Sequence, residues 1–179
     1  MSGEEQIAIL FVCHGNICRS PLAEALFRFH VEAAGLEEHF RIGSRGTGKQ
    51  HSGKEPDRAI LRVARRHGMS IKVHRGRQLR EDDAKEAHMI IGMDGTNVRA
   101  VRHQCRLGVG STPDRLSGQH THERTTAGIH VLRQWDPRGG GGVPDPFGRG
   151  SAAYEEVFTI VNRSCISLLR FLRRRNDLF

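Results

Sequence analysis

The chain has 179 residues and a mass of 20.0 kDa, enough for one domain with a substantial core and too little for two of ordinary size. The net charge is +8 and the isoelectric point about 10.2, but only 6% of residues are aromatic, so the stacking surface of a single-strand binder is lacking and we expect no nucleic-acid partner. No apolar run reaches the roughly 18 to 20 residues of a membrane helix, and the first one follows glutamates rather than basic residues, so we expect neither a membrane anchor nor a secretory leader.

The first predicted elements are a strand and a helix. Residues 7–12 form a continuous run of mainly branched apolar residues, which is typical of a parallel strand buried on both faces. After a short polar loop, Ser20 and Pro21 predict the N-cap and first residue of a helix, which ends before Gly35. The apolar positions at helical spacing in this helix are Leu22, Leu26, Phe29 and Ala33.

The rest of the chain continues this alternation. We predict strands at 40–44, 89–93 and 129–132, helices at 56–68 and 94–105, loops at 108–128 and 138–150, and a long final helix whose inner face runs from Tyr154 to Leu172. This order predicts a single α/β domain, residues 1–179, with an open parallel sheet of about four strands and helices on both faces, of the Rossmann-like kind. Ligands of such sheets bind beyond the carboxyl ends of the strands, so the loop after residue 12 is the first place to look for a site.

That loop has a cysteine and an arginine in the C-x5-R spacing, immediately before the Ser-Pro helix start. The spacing alone carries little information, because arginine is frequent in this chain. The position of the motif between a buried strand and a helix start is more informative. Consecutive amides in such a loop can point into one concavity, here called the cup, at the positive end of a helix, where a tetrahedral dianion binds well. The predicted phosphate-binding residues are His14, Gly15, Asn16, Ile17, Cys18 and Arg19, the last adding a bidentate guanidinium fork.

Cys13 lies at the floor of this predicted cup. A helix terminus and a neighbouring arginine both favour the thiolate, so Cys13 becomes a nucleophile aimed at phosphorus. Two alternatives are a small core cysteine at a strand end and a metal site of Cys13, His14 and Cys18. The metal site would need a fourth ligand and would place Arg19 beside a cation, so we expect no metal and no cofactor.

Residues 11–24, FVCHGNICRSPLAE, strongly resemble the low-molecular-weight protein tyrosine phosphatase family. Four later segments resemble it as well: SRGTG at 44–48, with Arg45 where the family has alanine, HRGRQL at 74–79, MD followed by asparagine at 93–97, and VPDPFG at 143–148. The resemblance covers nearly the whole chain. Residues 106–126 look like an extension relative to a typical member, and the resemblance says least about them.

The resemblance implies three catalytic residues. Cys13 attacks phosphorus, Arg19 holds the equatorial oxygens, and Asp145 protonates the leaving phenolate and then deprotonates the water that hydrolyses the phosphocysteine. Asp145 stands between Pro144 and Pro146, which stiffen its loop. If the chain had no C-x5-R loop, Asp145 would be better interpreted as an ordinary turn residue.

The resemblance also implies a supporting network. Ser20 would donate a hydrogen bond to the Cys13 thiolate, in addition to capping the helix. Asn16, Ser44 and His74 resemble the polar residues that hold the family's loop in shape, and ordinary surface polarity is the alternative.

The expected substrate slot departs from the family. Its walls would be Ile17, Gln50 and Phe147, and family members commonly have an aromatic residue where Gln50 stands. We therefore predict a slot that is more open and more polar than usual, unless Arg45 or the 106–126 extension covers it.

Cysteine usage predicts a reducing environment. Four cysteines, two of them in one short loop, do not make a disulfide framework in a chain of this size, so we expect the cytoplasm. Cys18 lies five residues after the nucleophile and could capture oxidised Cys13 as a reversible disulfide. Cys105 and Cys165 are most simply packing residues on helix faces.

These observations predict a phosphatase that hydrolyses phosphotyrosine in a protein partner, which could include a tyrosine kinase. A phosphoarginine phosphatase is one alternative, although those enzymes tend to carry threonine where Ile17 stands. A thiol-dependent arsenate reductase usually needs a close pair of later cysteines, whereas Cys105 and Cys165 are far apart. A phosphopeptide-binding module would have lost the nucleophile or the acid, and Cys13 and Asp145 are both present.

Overall fold

Four parallel strands form one sheet in a computed structural model that describes residues 6–71, 74–107, 127–176 and 178. The strands are β1 (Ile7–Cys13), β2 (Phe40–Gly46), β3 (Met89–Gly92) and β4 (Gly128–Val131), in the spatial order β2-β1-β3-β4. The predicted open parallel sheet is therefore confirmed. The fourth strand ends one residue early, because Leu132 begins a short 3-10 turn.

Helices cover both faces of the sheet, as predicted. They are α1 (Arg19–Ala33), α2 (Arg58–Arg66), α3 (Glu81–Glu86), α4 (Gly95–Gln104) and α5 (Ser151–Arg175). One apolar cluster packs α1, α2 and α5 against the sheet, and a second packs α3 and α4 against its other face. Because β1 is an inner strand, its carboxyl end lies between the carboxyl ends of β2 and β3, at the edge of the sheet where ligands are expected.

Two expectations for α1 were wrong. Ser20 does not cap the helix: Cys18 is in the N-cap position, no side chain caps it, and the Ser20 hydroxyl contacts Cys13 instead. Phe29 and Ala33 are exposed rather than inward, because the buried stripe is rotated. The buried apolar residues of α1 are Leu22, Ala23, Leu26, Phe27 and Val31.

The other helices differ from the predictions mainly at their ends. Asp57 and Asp94 cap α2 and α4 by accepting hydrogen bonds from backbone N–H groups, so α2 begins two residues later than predicted and α4 one residue later. The short helix α3 was not predicted, because only Ala84 of its six residues is buried and no apolar period marks it.

Cys105 and Cys165 are buried in the second and first apolar cluster respectively, as packing residues. The extension expected at 106–126 lies outside the described residues, apart from Arg106 and Leu107. Among the helices described, none combines the length and apolar character needed to cross a bilayer.

Candidate active site

The cup lies where β1 ends and α1 begins. The loop between Cys13 and Arg19 encloses a cavity of about 130 Å³. Three side chains from elsewhere complete its lining: His51 from the loop after β2, and Asp145 and Phe147 from the loop before α5. The structure thus brings together the predicted nucleophile, arginine and acid.

Cys13 is buried at the floor of the cup, with 3% of its surface exposed. Its Sγ accepts a hydrogen bond from the backbone N–H of Asn16 at 3.3 Å and lies 3.0 Å from Ser20 Oγ. Both neighbours can donate a hydrogen bond to this sulfur atom.

Asn16 holds the loop in shape from behind. It is 1% exposed and has a φ of 53°, a left-handed conformation that asparagine tolerates better than most residues. Its Nδ2 donates to Ser20 Oγ and to Ser44 Oγ, both at 2.9 Å, and its Oδ1 accepts from the Arg77 backbone N–H at 2.9 Å. His74 Nε2 lies 2.9 Å from the Asn16 carbonyl oxygen, where it can donate.

The direction of these hydrogen bonds leaves the Ser20 hydroxyl proton free to be donated to Cys13. Ser44 accepts from Asn16 and donates to Glu24 Oε2 at 2.7 Å. Ser20 also accepts from Asn16, so its own proton can go to Cys13 Sγ at 3.0 Å or to a backbone carbonyl at 3.4 Å. The shorter contact favours Cys13 as the acceptor.

The end of β2 packs directly against the cup. The N–H groups of Thr47 and Gly48 donate to the carbonyls of Cys13 and His14, each at 2.9 Å. A Cβ atom at Gly46 would lie 2.7 Å from the His14 carbonyl oxygen, so glycine is required for this close approach.

Arg19 is buried and held by two carboxylates. Its Nη1 donates to Asp94 Oδ2 at 2.7 Å and to the Val143 carbonyl at 3.0 Å, while Nη2 lies 3.3 Å from Asp145 Oδ2. Asp94 uses its other oxygen to accept from Asn97 N–H at 2.8 Å and so caps α4. The role of Asp94 in holding Arg19 was missed from the sequence, although an aspartate directly after a buried strand marked the position.

Asp145 reaches the cup from a loop that is fixed at its start. The Val143 N–H donates to the Met93 carbonyl at 2.7 Å, and Asp145 Oδ1 accepts from the Phe147 N–H at 3.2 Å. The Asp145 side chain is 56% exposed, and Phe147 is 63% exposed at the mouth of the cup. This carboxylate can therefore meet both a bound ester and solvent.

Asp136 anchors the chain just before this loop. Arg163 of α5 donates to its two oxygens at 2.6 and 2.8 Å, and Arg133 lies 3.3 Å from Oδ2. The hydrogen bonds from Arg163 lower the pKa of Asp136 to about 2. No sequence motif marked this ion pair.

Asp57 and Tyr154 support the far wall of the cup. The Asp57 N–H donates to the Ile17 carbonyl at 2.7 Å, and the Tyr154 hydroxyl lies 3.3 Å from Asp57 Oδ2. Burial, together with the Asp57 carboxylate, raises the pKa of Tyr154 to about 12, so the hydroxyl stays a donor. Burial and the nearby Cys13 raise the pKa of the Cys18 thiol well above its ordinary value.

The slot wall differs from the one expected. Gln50 is exposed, fills the space beside Gly48 and is not among the residues that line the cup. His51 lines it instead, with its ring against Gly15 and its buried Nδ1 lacking a hydrogen-bond partner among the described residues. Ile17 and Phe147 line the cup as expected.

A buried cysteine in the loop between a parallel strand and a helix, with a buried arginine and an exposed carboxylate lining the same cup, defines a cysteine-dependent phosphatase. Within the described ranges no group of three His, Cys, Asp or Glu side chains could hold a metal ion.

The chain belongs to the low molecular weight phosphotyrosine protein phosphatase family, whose model matches residues 8–178. A low molecular weight protein-tyrosine-phosphatase of Streptomyces coelicolor is 35% identical, over 93% of this chain and 94% of its own. The crystal structure of YfkJ from Bacillus subtilis has a TM-score of 0.80 at 31% identity, over 96% and 97% of the two chains. A protein tyrosine phosphatase from Entamoeba histolytica, with Hepes in its active site, also has a TM-score of 0.80, at 26% identity over 94% and 98%.

Proposed function

We propose that this protein hydrolyses phosphotyrosine in phosphoproteins through a phosphocysteine intermediate. The observation that carries the proposal is the position of Cys13 at the floor of the cup, where its Sγ lies 3.0 Å from Ser20 Oγ and 3.3 Å from the Asn16 nitrogen, with Arg19 and Asp145 in the lining of the same cup.

In the first step the Cys13 thiolate attacks phosphorus and the bond to the phenolic oxygen breaks. Asp145, in its protonated form, gives its proton to the departing oxygen, so tyrosine leaves neutral. A positioned acid of this kind contributes typically about a hundredfold to ten-thousandfold in rate.

In the second step water hydrolyses the phosphocysteine. Asp145, now ionised, takes a proton from the attacking water, the phosphorus–sulfur bond breaks, and the thiolate and phosphate are released. The exposure of Asp145 gives water a path to this carboxylate.

Arg19 and the loop amides hold the phosphoryl oxygens in both steps. Asp94 and the Val143 carbonyl occupy Nη1, and Asp145 Oδ2 lies 3.3 Å from Nη2, so the bidentate contact to phosphate would use Nε and the second hydrogen of Nη2. Because Asp94 fixes the guanidinium before substrate arrives, little ordering remains for the reaction itself.

The walls of the slot set the preference for an aromatic ester. We propose Phe147 and Ile17 as the apolar walls and His51 in the place that Gln50 was expected to take. Phe147→Ala should raise KM for phosphotyrosine about 2- to 10-fold, the equivalent of about 0.5 to 1.5 kcal/mol of ring contact. Gln50→Ala is the matched control and should leave KM unchanged, and an equal effect of both substitutions would place Gln50 in the wall.

The proposed partners are phosphotyrosine proteins, among them a tyrosine kinase whose own phosphotyrosines are removed. The proposed compartment is the cytoplasm, because all four cysteines are free and the mechanism requires a reduced thiol.

A parallel assay tests the function. Purified protein is given aryl phosphate, phosphotyrosine, phosphoserine and phosphoarginine substrates without added metal, beside Cys13→Ser and Arg19→Ala. We expect the parent to hydrolyse the aryl esters and Cys13→Ser to hydrolyse none. Arg19→Ala should have a lower kcat and a higher KM. A requirement for divalent metal or an active Cys13→Ser protein would contradict the mechanism, and a preference for phosphoarginine would favour that substrate instead.

A further inference from the structure

A line of arginines runs along the outer face of α2. The face that carries Ile60 and Val63 is buried, whereas Arg58, Arg62 and Arg65 are exposed at the spacing i, i+4, i+7. These three residues are called the α2 arginines below. Their side chains form one basic stripe on the side of the helix that faces away from the core.

The stripe begins beside the cup. Asp57, which caps α2, donates its N–H to the Ile17 carbonyl at 2.7 Å, and Ile17 lines the cup. Arg58 is the next residue. The helix then carries the stripe away from the cup for about 10.5 Å between Arg58 and Arg65, at about 1.5 Å per residue, which is the span of about three residues of extended chain.

The placement of these charges does not favour the fold. Arg58 is the first residue of α2, where the positive end of the helix dipole disfavours a cation, and Arg58 and Arg62 form a like-charge pair four residues apart. In the part of the chain that is described, no carboxylate pairs with the α2 arginines, whereas the adjacent Arg66 lies 2.7 Å from Glu155. The dipole accounts for basic residues in the last turn but not for Arg58 or Arg62.

We propose that the α2 arginines bind acidic residues next to the phosphotyrosine of the substrate, an inference that rests on the proposed function. A peptide whose phosphotyrosine occupies the cup and whose chain continues over the start of α2 would bring its neighbouring carboxylates to the stripe. Helix α2 has no aromatic residue on which a nucleobase could stack, so the charge pattern suits an acidic peptide better than a nucleic acid.

The test compares three phosphotyrosine peptides of equal length, with alanines on both sides, with three glutamates before the phosphotyrosine, or with three after it. We expect kcat/KM about 3- to 10-fold higher for one of the acidic peptides than for the alanine peptide, from two or three exposed charge pairs. The preference should shrink at high salt, because exposed pairs are screened.

Arg58→Glu/Arg62→Glu should abolish or reverse this preference while leaving kcat on para-nitrophenyl phosphate unchanged. The matched control is Arg170→Glu/Arg174→Glu on α5, which changes the net charge equally. Helix α5 starts just after the Asp145 loop, and Arg170 lies about 29 Å further along it, at about 1.5 Å per residue. The control should keep the preference for the acidic peptide. If Arg58→Glu/Arg62→Glu lowers the melting temperature, Arg58→Gln/Arg62→Gln replaces it as the test variant.

The same peptides are also titrated against Cys13→Ser, so that binding is measured even if turnover fails. If the parent did not hydrolyse para-nitrophenyl phosphate, the proposed function would be wrong. Tighter binding of an acidic peptide than of the alanine peptide to Cys13→Ser would still support this inference. Equal affinity and equal kcat/KM for all three peptides would overturn it. Inhibition by a single-stranded oligonucleotide, relieved in Arg58→Glu/Arg62→Glu, together with no peptide preference, would assign the stripe to nucleic acid instead.

Discussion

Asp94 has two tasks that can be separated by substitution. One oxygen holds Arg19 Nη1 at 2.7 Å and the other caps α4 through the Asn97 N–H at 2.8 Å. Asp94→Ala removes both contacts. Asp94→Ser removes the contact to Arg19 but keeps a hydroxyl that can accept from the same N–H, so the two variants differ in the cap alone.

The two contacts of Asp94 determine the expected effects of the substitutions on catalysis and stability. A hydrogen bond to a charged group contributes about 1.5 to 3 kcal/mol, which corresponds to about a 10- to 150-fold loss in kcat/KM if Asp94 orients Arg19 for the transition state. Both variants should show that loss. Asp94→Ser should be more stable than Asp94→Ala by about 1 kcal/mol, the usual contribution of a side-chain cap.

The assay combines kcat/KM on an aryl phosphate with urea unfolding of the parent and both variants. If Asp94→Ser retained the parent's kcat/KM, Asp94 would not orient Arg19. Equal stability of the two variants would show that the serine does not replace the cap. A loss in Asp94→Ala alone would attribute the catalytic effect to helix α4 rather than to the guanidinium.

Three further predictions address the acid, the anchor and the second loop cysteine. Asp145→Asn should lower kcat/KM for phosphotyrosine far more than for an ester with a good leaving group such as para-nitrophenyl phosphate, since kcat/KM reports the step in which the ester leaves and only the former needs the proton there; equal losses in kcat/KM would refute the acid role. The pKa of Asp136 is lowered from 3.8 to about 2 in the fold by Arg163, so its contribution of about 2 kcal/mol is present above pH 4 and is lost as the pH falls through 2. Urea unfolding at pH 7 should show that loss in Asp136→Asn, with the gap to the parent closing toward pH 2; a gap that stays constant with pH would contradict the linkage. Peroxide should join Cys13 to Cys18 in a thiol-reversible disulfide, and full recovery of Cys18→Ser after mild oxidation, or no such linkage by mass spectrometry, would rule this out.

Local signals in the sequence were sufficient for the cup. The apolar run of β1, the polar loop and the start of α1 lie within residues 7–21, so their positions relative to one another follow from backbone geometry alone. The ends of the elements were less predictable. Ser20 looked like a helix cap because Ser-Pro usually marks one, but its hydroxyl is bound to the Cys13 network and the helix begins without a side-chain cap.

The residues around the cup depended on contacts across the fold. His51 and Gln50 are neighbours in one loop, and only the path of that loop over Gly15 decides which of them lines the cup. Asp94 was visible in a motif, but its contact with Arg19 depends on β3 lying beside β1. The pair of Asp136 and Arg163 carries no local pattern at all, because each is an ordinary charged residue until α5 brings them together.

The sequence by itself determined the α/β class, the strand–cup–helix unit and the position of the cysteine proposed as nucleophile, because each depends on residues close together in the chain. Only the tertiary structure decided which side chains surround that unit. Asn16 meets Ser44 across 28 positions, and Arg19 meets Asp145 across 126. Such contacts require the strand order β2-β1-β3-β4, and apolar periodicity cannot specify it, because a buried parallel strand has the same apolar pattern wherever it stands in the sheet.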